Sequence, residues 1–341
     1  MVWSAWVTTA WVTNWLDPDR LPVRLMLVWV MLASLFMSAA IPQAFDDRGL
    51  LFGAAVAAIH VGRAAFAFTT LRASLGRTDP LTRTFQRTLS WHLTAAIPWV
   101  TGGLVEGRTR YLLWGLALTM NYGAPLIGYW VPGLGSSRTQ EWAIQGPHLA
   151  ERCRLFIIIA LGESLLATGT AFGESEASAA ATAALVVAFV GSVALWWVYF
   201  HDSAERASRV LAAAADPGRL ARDAYTLFHL PMVAGIIAIA AADEFTIAHP
   251  GEPGTPASIA LTLGGTVLFL AGHALFKQAV FDEPPWPQLV AILLLAALVP
   301  VGLAAPTLAL AAAVGLVLVG LAGWETLSRR SHHRRQQRPR R

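Results

Sequence analysis

The sequence predicts an all-α polytopic membrane bundle of about 10–12 transmembrane helices, the count following from runs of roughly the 20 apolar residues that a spanning helix needs. Three observations lead there. Of 341 residues, 55% are apolar and only 13% are charged, against about a quarter charged in soluble domains. The mean hydropathy is +0.52. The apolar residues fall in long runs rather than in the short alternations of a half-buried sheet. This composition excludes a disordered chain, which needs low hydrophobicity and high charge, and an ordinary soluble enzyme. Cys153 is the one cysteine, so the chain has no internal disulfide and no cysteine-built zinc site.

The apolar runs are 2–16, 23–41, 50–71, 88–105, 111–130, 148–172, 178–200, 224–246, 258–281, 288–304 and 307–326. A lipid core admits only segments that close their own backbone hydrogen bonds, so each run is expected to be helical. Run 2–16 is short and carries Ser, Thr and Asn. The last two runs are separated by Ala305-Pro306 and read as a hairpin. Residues 1–327 are therefore one membrane domain. Residues 328–341 form a basic tail with seven arginines in the last 13 positions, expected to be disordered and to anchor the topology.

Loop charge sets the expected orientation. Alternate loops carry Arg20 and Arg24; Arg72, Arg77, Arg83 and Arg87; Arg138; Arg206, Arg209, Arg219 and Arg222; and then the tail. The opposite set carries only Arg48, Arg108 and Arg110. The positive-inside rule places the richer loops and the C-terminus in the cytoplasm. No basic n-region or cleavage-like site precedes the first run, so no classical signal peptide is expected.

Polar groups inside spans are costly and mark functional candidates. The densest set is the run His148-Leu-Ala-Glu151-Arg152-Cys-Arg154 through Gly162-Glu163. Eleven helical steps leave Arg152 and Glu163 about 20° apart on the wheel, with about 16 Å of rise between them. His148 lies one turn before Arg152 on the same side, whereas Glu151 points elsewhere. The expectation is that Glu163 sits near mid-membrane, faces the bundle and serves as a proton or ion site, with His148, Arg152 and Arg63 as partners. His60 and Arg63 share a face at i, i+3 spacing. His92, Asn121, His229 and His273 are further in-span polar groups, each also compatible with a plain helix–helix hydrogen bond. Lys277, close to a helix end, is expected to snorkel to the interface. Asp46-Asp47, Asp243-Glu244 and His249 are expected outside, where their convergence would suit a lipid-modifying enzyme.

Several chemistries lack their motifs. There is no HExxH and no GxxxxGK[ST], so neither a metalloprotease nor a nucleotide-driven pump is indicated. No GxSxG elbow occurs. No cofactor, metal or nucleic-acid partner is expected; the expected partners are membrane lipid and a small solute or ion.

Four stretches resemble one family. PHLAERCRLFIIIALGESLLATG is similar to the signature of the bacterial low temperature requirement protein A (LtrA) family. TTAWVTNWLDPDR, DPGRLARDAYTLFHLPMVAGI and ADEFTIAHP agree with it in the same order. The resemblance implies a polytopic inner-membrane protein and carries the signature positions to His148, Glu151, Arg152, Gly162 and Glu163, and to His229 and Pro231. It brings no established reaction. It also implies an acidic-aromatic helix of E-L-F-F-D-L type ahead of run 2–16, which would supply two further acids as partners for Arg63 or Arg152. Three function classes follow: a proton-coupled transporter of a small solute or ion, a structural or regulatory membrane protein, and an integral lipid-modifying enzyme.

Overall fold

The computed structural model describes residues 1–142, 144–201 and 204–336; side chains at 204, 205, 208 and 329–336 lie outside that description. The described backbone is helical, with no β-strand among the described residues and two isolated bridges, Val131–Gly135 and Pro253–Pro306. Eight helices among them are long and apolar enough to cross a membrane: Leu21–Gln43, Gly49–Leu75, Gly146–Glu174, Ala179–Phe200, Pro217–Ala248, Pro256–Phe281, Trp286–Ala304 and Thr307–Ser328. Of the other three expected runs, 2–16 and 88–105 are helical almost throughout, whereas 111–130 is helical only to Gly123 and continues as turns.

The chain divides into two compact units, Met1–Leu149 with Ala215–Arg222, and Ala150–Ala214 with Asp223–Arg341. The first holds α1 (Val2–Trp15), α2 (Leu21–Ala40), α3 (Gly49–Leu75), α4 (Pro80–Leu104) and α5 (Gly107–Gly123). Asp79 starts α4 by accepting from the N–H groups of Leu81 (2.9 Å) and Thr82 (3.3 Å), with Pro80 at the first helical position, where its missing N–H costs nothing. The backbones of α3 and α4 approach closely: a Cβ on Gly103 would lie 2.6 Å from Leu50 Cα and 2.7 Å from Gly49 O, and one on Gly53 would strike Trp99 O. Arg110, 3% exposed, ties the ends of these helices together. Its Nε donates to Gly102 O (3.2 Å) and Val105 O (2.8 Å), and its Nη1 to Ala44 O (3.1 Å) and Asp46 O (2.9 Å).

The polar residues of α1 have local explanations. Thr8 donates to Ser4 O, Thr9 to Ala5 O (2.7 Å) and Thr13 to Thr9 O (3.2 Å). Asn14 exchanges two hydrogen bonds with the Gln145 backbone, at 2.6 and 3.1 Å.

The second unit holds α6 (Gly146–Glu174) from Ala150 onward, α7 (Ala179–Phe200), α8 (Ala204–Ala213), α10 (His229–Ala248), α11 (Pro256–Ile259), α12 (Gly265–Phe281), α13 (Trp286–Ala297), α14 (Val299–Ala304) and α15 (Thr307–Gln336). The short α9 (Pro217–Leu220) belongs to the first unit. Two π-helical turns, Ala221–Leu227 and Ala260–Gly264, precede α10 and α12. The packing of α10 on α12 is again glycine-mediated: a Cβ on Gly235 would lie 2.5 Å from Gly265 O, and one on Gly272 2.7 Å from Phe228 O. The break at Ala305-Pro306 is present, as the hairpin reading requires. α15 continues to Gln336, so 328–336 is helical; residues 337–341 lie outside the described residues.

Candidate functional site

Each unit contains a buried polar centre built on paired helices. In the first, α3 presents His60 and Arg63, and α4 presents His92. Arg63 is 2% exposed, and its guanidinium meets His60 Nδ1 at 3.1 Å, Thr9 Oγ1 at 3.3 Å and Ala5 O at 3.4 Å. The i, i+3 pairing of His60 with Arg63 is as the helical spacing requires. His60 Nε2 lies 3.4 Å from Ser4 Oγ, and the His60 and His92 rings stand 4.9 Å apart. Asn121 stands beside His92, and His92 Nδ1 and both Asn121 amide atoms are buried without a well-formed hydrogen bond among the described residues. Arg63 has no ion pair to a carboxylate among the described residues.

The second centre is larger. His229 opens α10, and its Nδ1 lies 2.8 Å from Ala224 O. A carbonyl can only accept, so Nδ1 carries the proton. The neutral ring then accepts the Tyr199 hydroxyl of α7 at Nε2, 2.8 Å away. The π-turn makes this possible: its looser ladder puts Ala224 O five residues back, within reach of the ring. Tyr225 stacks on His229, and Phe276 of α12 packs edge-on against both. From α6, Cys153 Sγ reaches Tyr225 O at 3.5 Å, and the Arg154 guanidinium lies over the Phe200 ring at 5.7 Å.

One turn further along α12 from His273 is Lys277. Its ammonium pairs with Glu325 of α15 at 2.8 Å, with side chains 10% and 3% exposed. Gln288 of α13 donates to the same Glu325 oxygen at 2.5 Å and lies 3.4 Å from His273 Nδ1. Glu325 Oε2, Gln288 Oε1 and His273 Nε2 are buried and have no hydrogen-bond partner among the described residues. Lys277, expected to snorkel, is thus instead one half of a buried ion pair.

The signature residues of α6 are placed differently from the expectation. Glu151, Arg152, Gly162 and Glu163 are exposed, and His148 is half-buried. Arg152 and Glu163 do share a face, as the wheel requires, but that face is turned outward. It also carries Leu155, Ile159 and Leu166, all exposed, and Gly162 and Gly169, where a Cβ would meet no atom within 4 Å. Glu163 has no hydrogen bond or ion pair among the described residues, and so none to Arg152 on the same face of α6. The residues of α6 that reach a buried centre are the neighbours Cys153 and Arg154. Of the later signature, His229 is fully buried, and Pro231 lies half-buried two residues along α10. Among the described residues no group of three His, Cys, Asp or Glu side chains is placed to hold a metal.

This placement predicts the effect of changing Glu163. An exposed side chain with no partner contributes little to stability, so Glu163→Gln should shift unfolding by no more than about 0.5 kcal/mol. Melting of the detergent-purified variant checks it; a loss of several degrees would mean that the carboxylate is engaged.

Glu325, Gln288 and Tyr199 escaped the sequence reading. A signal was present: Lys277 and Glu325 lie four and three residues from the ends of spans 256–281 and 307–328. These spans end on the same side, since one span separates them. Opposite charges at equal depth are candidates to pair.

The model of the bacterial low temperature requirement A protein (LtrA) family matches residues 1–323. An uncharacterized protein of Rhizobium meliloti strain 1021, RA0937, is 37% identical over 325 residues, covering 95% of this chain and 78% of that protein. No solved structure matches.

Proposed function

Starting from the fact that the chain belongs to the bacterial low temperature requirement A family, we propose that it moves a small solute or ion across the inner membrane with protons as the coupling ion. The work is assigned to the ion-paired centre of the second unit. The observation that carries this reading is the buried Lys277–Glu325 pair, flanked by Gln288 and His273 with hydrogen-bonding atoms still unused. Charges inside membrane helices are expensive, and those kept there mark ion or proton pathways.

The chemistry follows from the pair. A proton arriving on Glu325 Oε2 removes the negative charge, and Lys277 is left as an uncompensated ammonium. Leaving one partner of a buried pair unmatched costs about 3–5 kcal/mol. That is enough to shift an equilibrium between two arrangements of α12, α13 and α15, because a population responds to differential stability. The protonated and deprotonated forms therefore favour different arrangements, which is the requirement for coupling. His229 and Tyr199 form a second proton-exchanging pair on α10 and α7.

The arginine asymmetry between alternate loops supports a cytoplasmic C-terminus. A reporter active only outside the cytoplasm should be silent when fused at Ser331 and active at Gly251; the reverse pattern would overturn the orientation. Transport is tested in proteoliposomes loaded with a pH-sensitive dye, the potential clamped with K⁺ and valinomycin. Wild-type vesicles should collapse an imposed pH step faster than protein-free vesicles in the presence of at least one of a panel of small inorganic ions and amino acids. Identical rates throughout would overturn the reading. They would favour a structural role, which one observation supports: Glu325 also ties α12, α13 and α15 together.

A further inference from the structure

Asp243 lies on α10, 14 residues beyond His229, which is about 21 Å of helical rise. It is therefore remote from the ion-paired centre. Asp243 lines a cavity of about 30 Å³ walled by α7, α10, α15, the π-turn Ala260–Gly264 and the start of α12. Asp243 is half-buried and has no hydrogen bond or ion pair among the described residues. The other polar side chains on the wall are Thr262 and Thr266; the rest of the lining is apolar and includes Gly191 and Gly315.

Both glycines keep this space open. Gly315 is buried, yet a Cβ there would meet no atom within 4 Å, and the same holds at Gly191. They are not sites of close backbone approach, unlike Gly235 or Gly272.

The polar atoms on the wall share one property. Thr262 donates its hydroxyl proton to Ser258 O (2.9 Å), and Thr266 donates to Thr262 O (2.8 Å). Each hydroxyl has one proton, so each presents only lone pairs to the cavity. An ionised carboxylate also only accepts. No Lys, Arg or His lines the space. With Asp243 ionised, the polar side chains of the cavity are all acceptors around one negative charge. Such a set attracts a cation and repels an anion. The π-turn Ala260–Gly264 interrupts the α-helical ladder on the same wall, and interrupted membrane helices supply backbone carbonyls to small cations.

We propose that this cavity binds one small hard monovalent cation of the Na⁺ type, with Asp243 as the charged ligand and the hydroxyl oxygens of Thr262 and Thr266 as neutral ones. Hard cations take oxygen ligands. The space is of the size that a bare or partly hydrated small ion needs. The site stands on the second unit alone and holds whether or not the chain transports anything.

The test is thermal melting of the purified full chain in NaCl against N-methyl-D-glucamine chloride, at equal ionic strength and pH. Sodium should raise the melting temperature with a saturable dependence, as ligand binding to the folded state requires. Asp243→Asn should abolish that response. Gly315→Ala should move the sodium midpoint to higher concentration while raising the melting temperature in the organic cation slightly, as alanine does at an open helix-interior glycine. Equal melting in the two salts, or an undiminished sodium response in Asp243→Asn, overturns the proposal. So does a response to pH alone, which would put a proton on Asp243 instead. Should Asp243→Asn not fold, an unshifted sodium midpoint in Gly315→Ala overturns it.

Discussion

Glu325→Leu is expected to destabilise the detergent-solubilised protein by about 3–5 kcal/mol, the cost of leaving one member of a buried ion pair unmatched. The pair has little solvent to fall back on, with the Lys277 and Glu325 side chains 10% and 3% exposed at 2.8 Å. Removing the carboxylate also takes the acceptor from Gln288, which is fully buried. A buried donor without its acceptor adds about 1–3 kcal/mol of desolvation that is no longer offset. Lys277→Met should be milder, because Glu325 keeps the Gln288 bond and a lone carboxyl can neutralise itself by taking a proton. Changing both partners should recover the part of the loss that comes from the unmatched charge, since apolar replacements of a buried pair are often neutral or stabilising, while Gln288 remains without its acceptor. A double-mutant cycle on melting midpoints measures this; additive single effects would mean that the two charges are not coupled.

Gly53→Ala should be the most damaging single methyl added to the contact between α3 and α4. In an ordinary helix interior the change from glycine to alanine stabilises by roughly 0.5–1 kcal/mol. At Gly53 the added Cβ would strike Trp99 O, a backbone atom that α4 cannot rotate away. The same oxygen accepts the Trp114 indole N–H at 3.0 Å, which fixes it from the other side. α3 and α4 must then separate, and overpacking of this kind costs about 1–3 kcal/mol or more. Gly115→Ala on α5 is the matched control, because its Cβ would meet nothing within 4 Å. The expected result is a lowered melting temperature for Gly53→Ala and none for Gly115→Ala. Equal behaviour would mean that the close approach of α3 and α4 is not a requirement of the fold.

Much of the fold was legible because a bilayer leaves the backbone few choices. Runs such as 178–200 and 258–281 map onto α7 and onto α11, the π-turn and α12 almost residue for residue. The Pro306 break likewise stands where the sequence puts it. The misreadings have a common physical origin. A helical wheel fixes which residues share a face but not which way the face turns; Arg152 and Glu163 do share one, and it is the outer one. Orientation depends on neighbours, and neighbours are tertiary information. His60 with Arg63 was legible because an i, i+3 pair lies within one helix. Lys277 with Glu325 was not, because 48 residues separate the partners and a lone lysine near a helix end has an ordinary interfacial explanation. The π-turn that aims His229 was also hidden, since nothing in ARDAYTL distinguishes a π ladder from an α one.

The central claim is that the Lys277–Glu325 centre moves charge as well as holding helices together. The most direct measurement is dye-reported proton movement in proteoliposomes carrying the Lys277→Met/Glu325→Leu double variant, with melting of the same preparation as the control for folding. The double variant is expected to stay folded, melting below the wild type by no more than the Gln288 penalty, yet to collapse the pH step no faster than protein-free vesicles. A folded double variant that moves protons at the wild-type rate would contradict that claim.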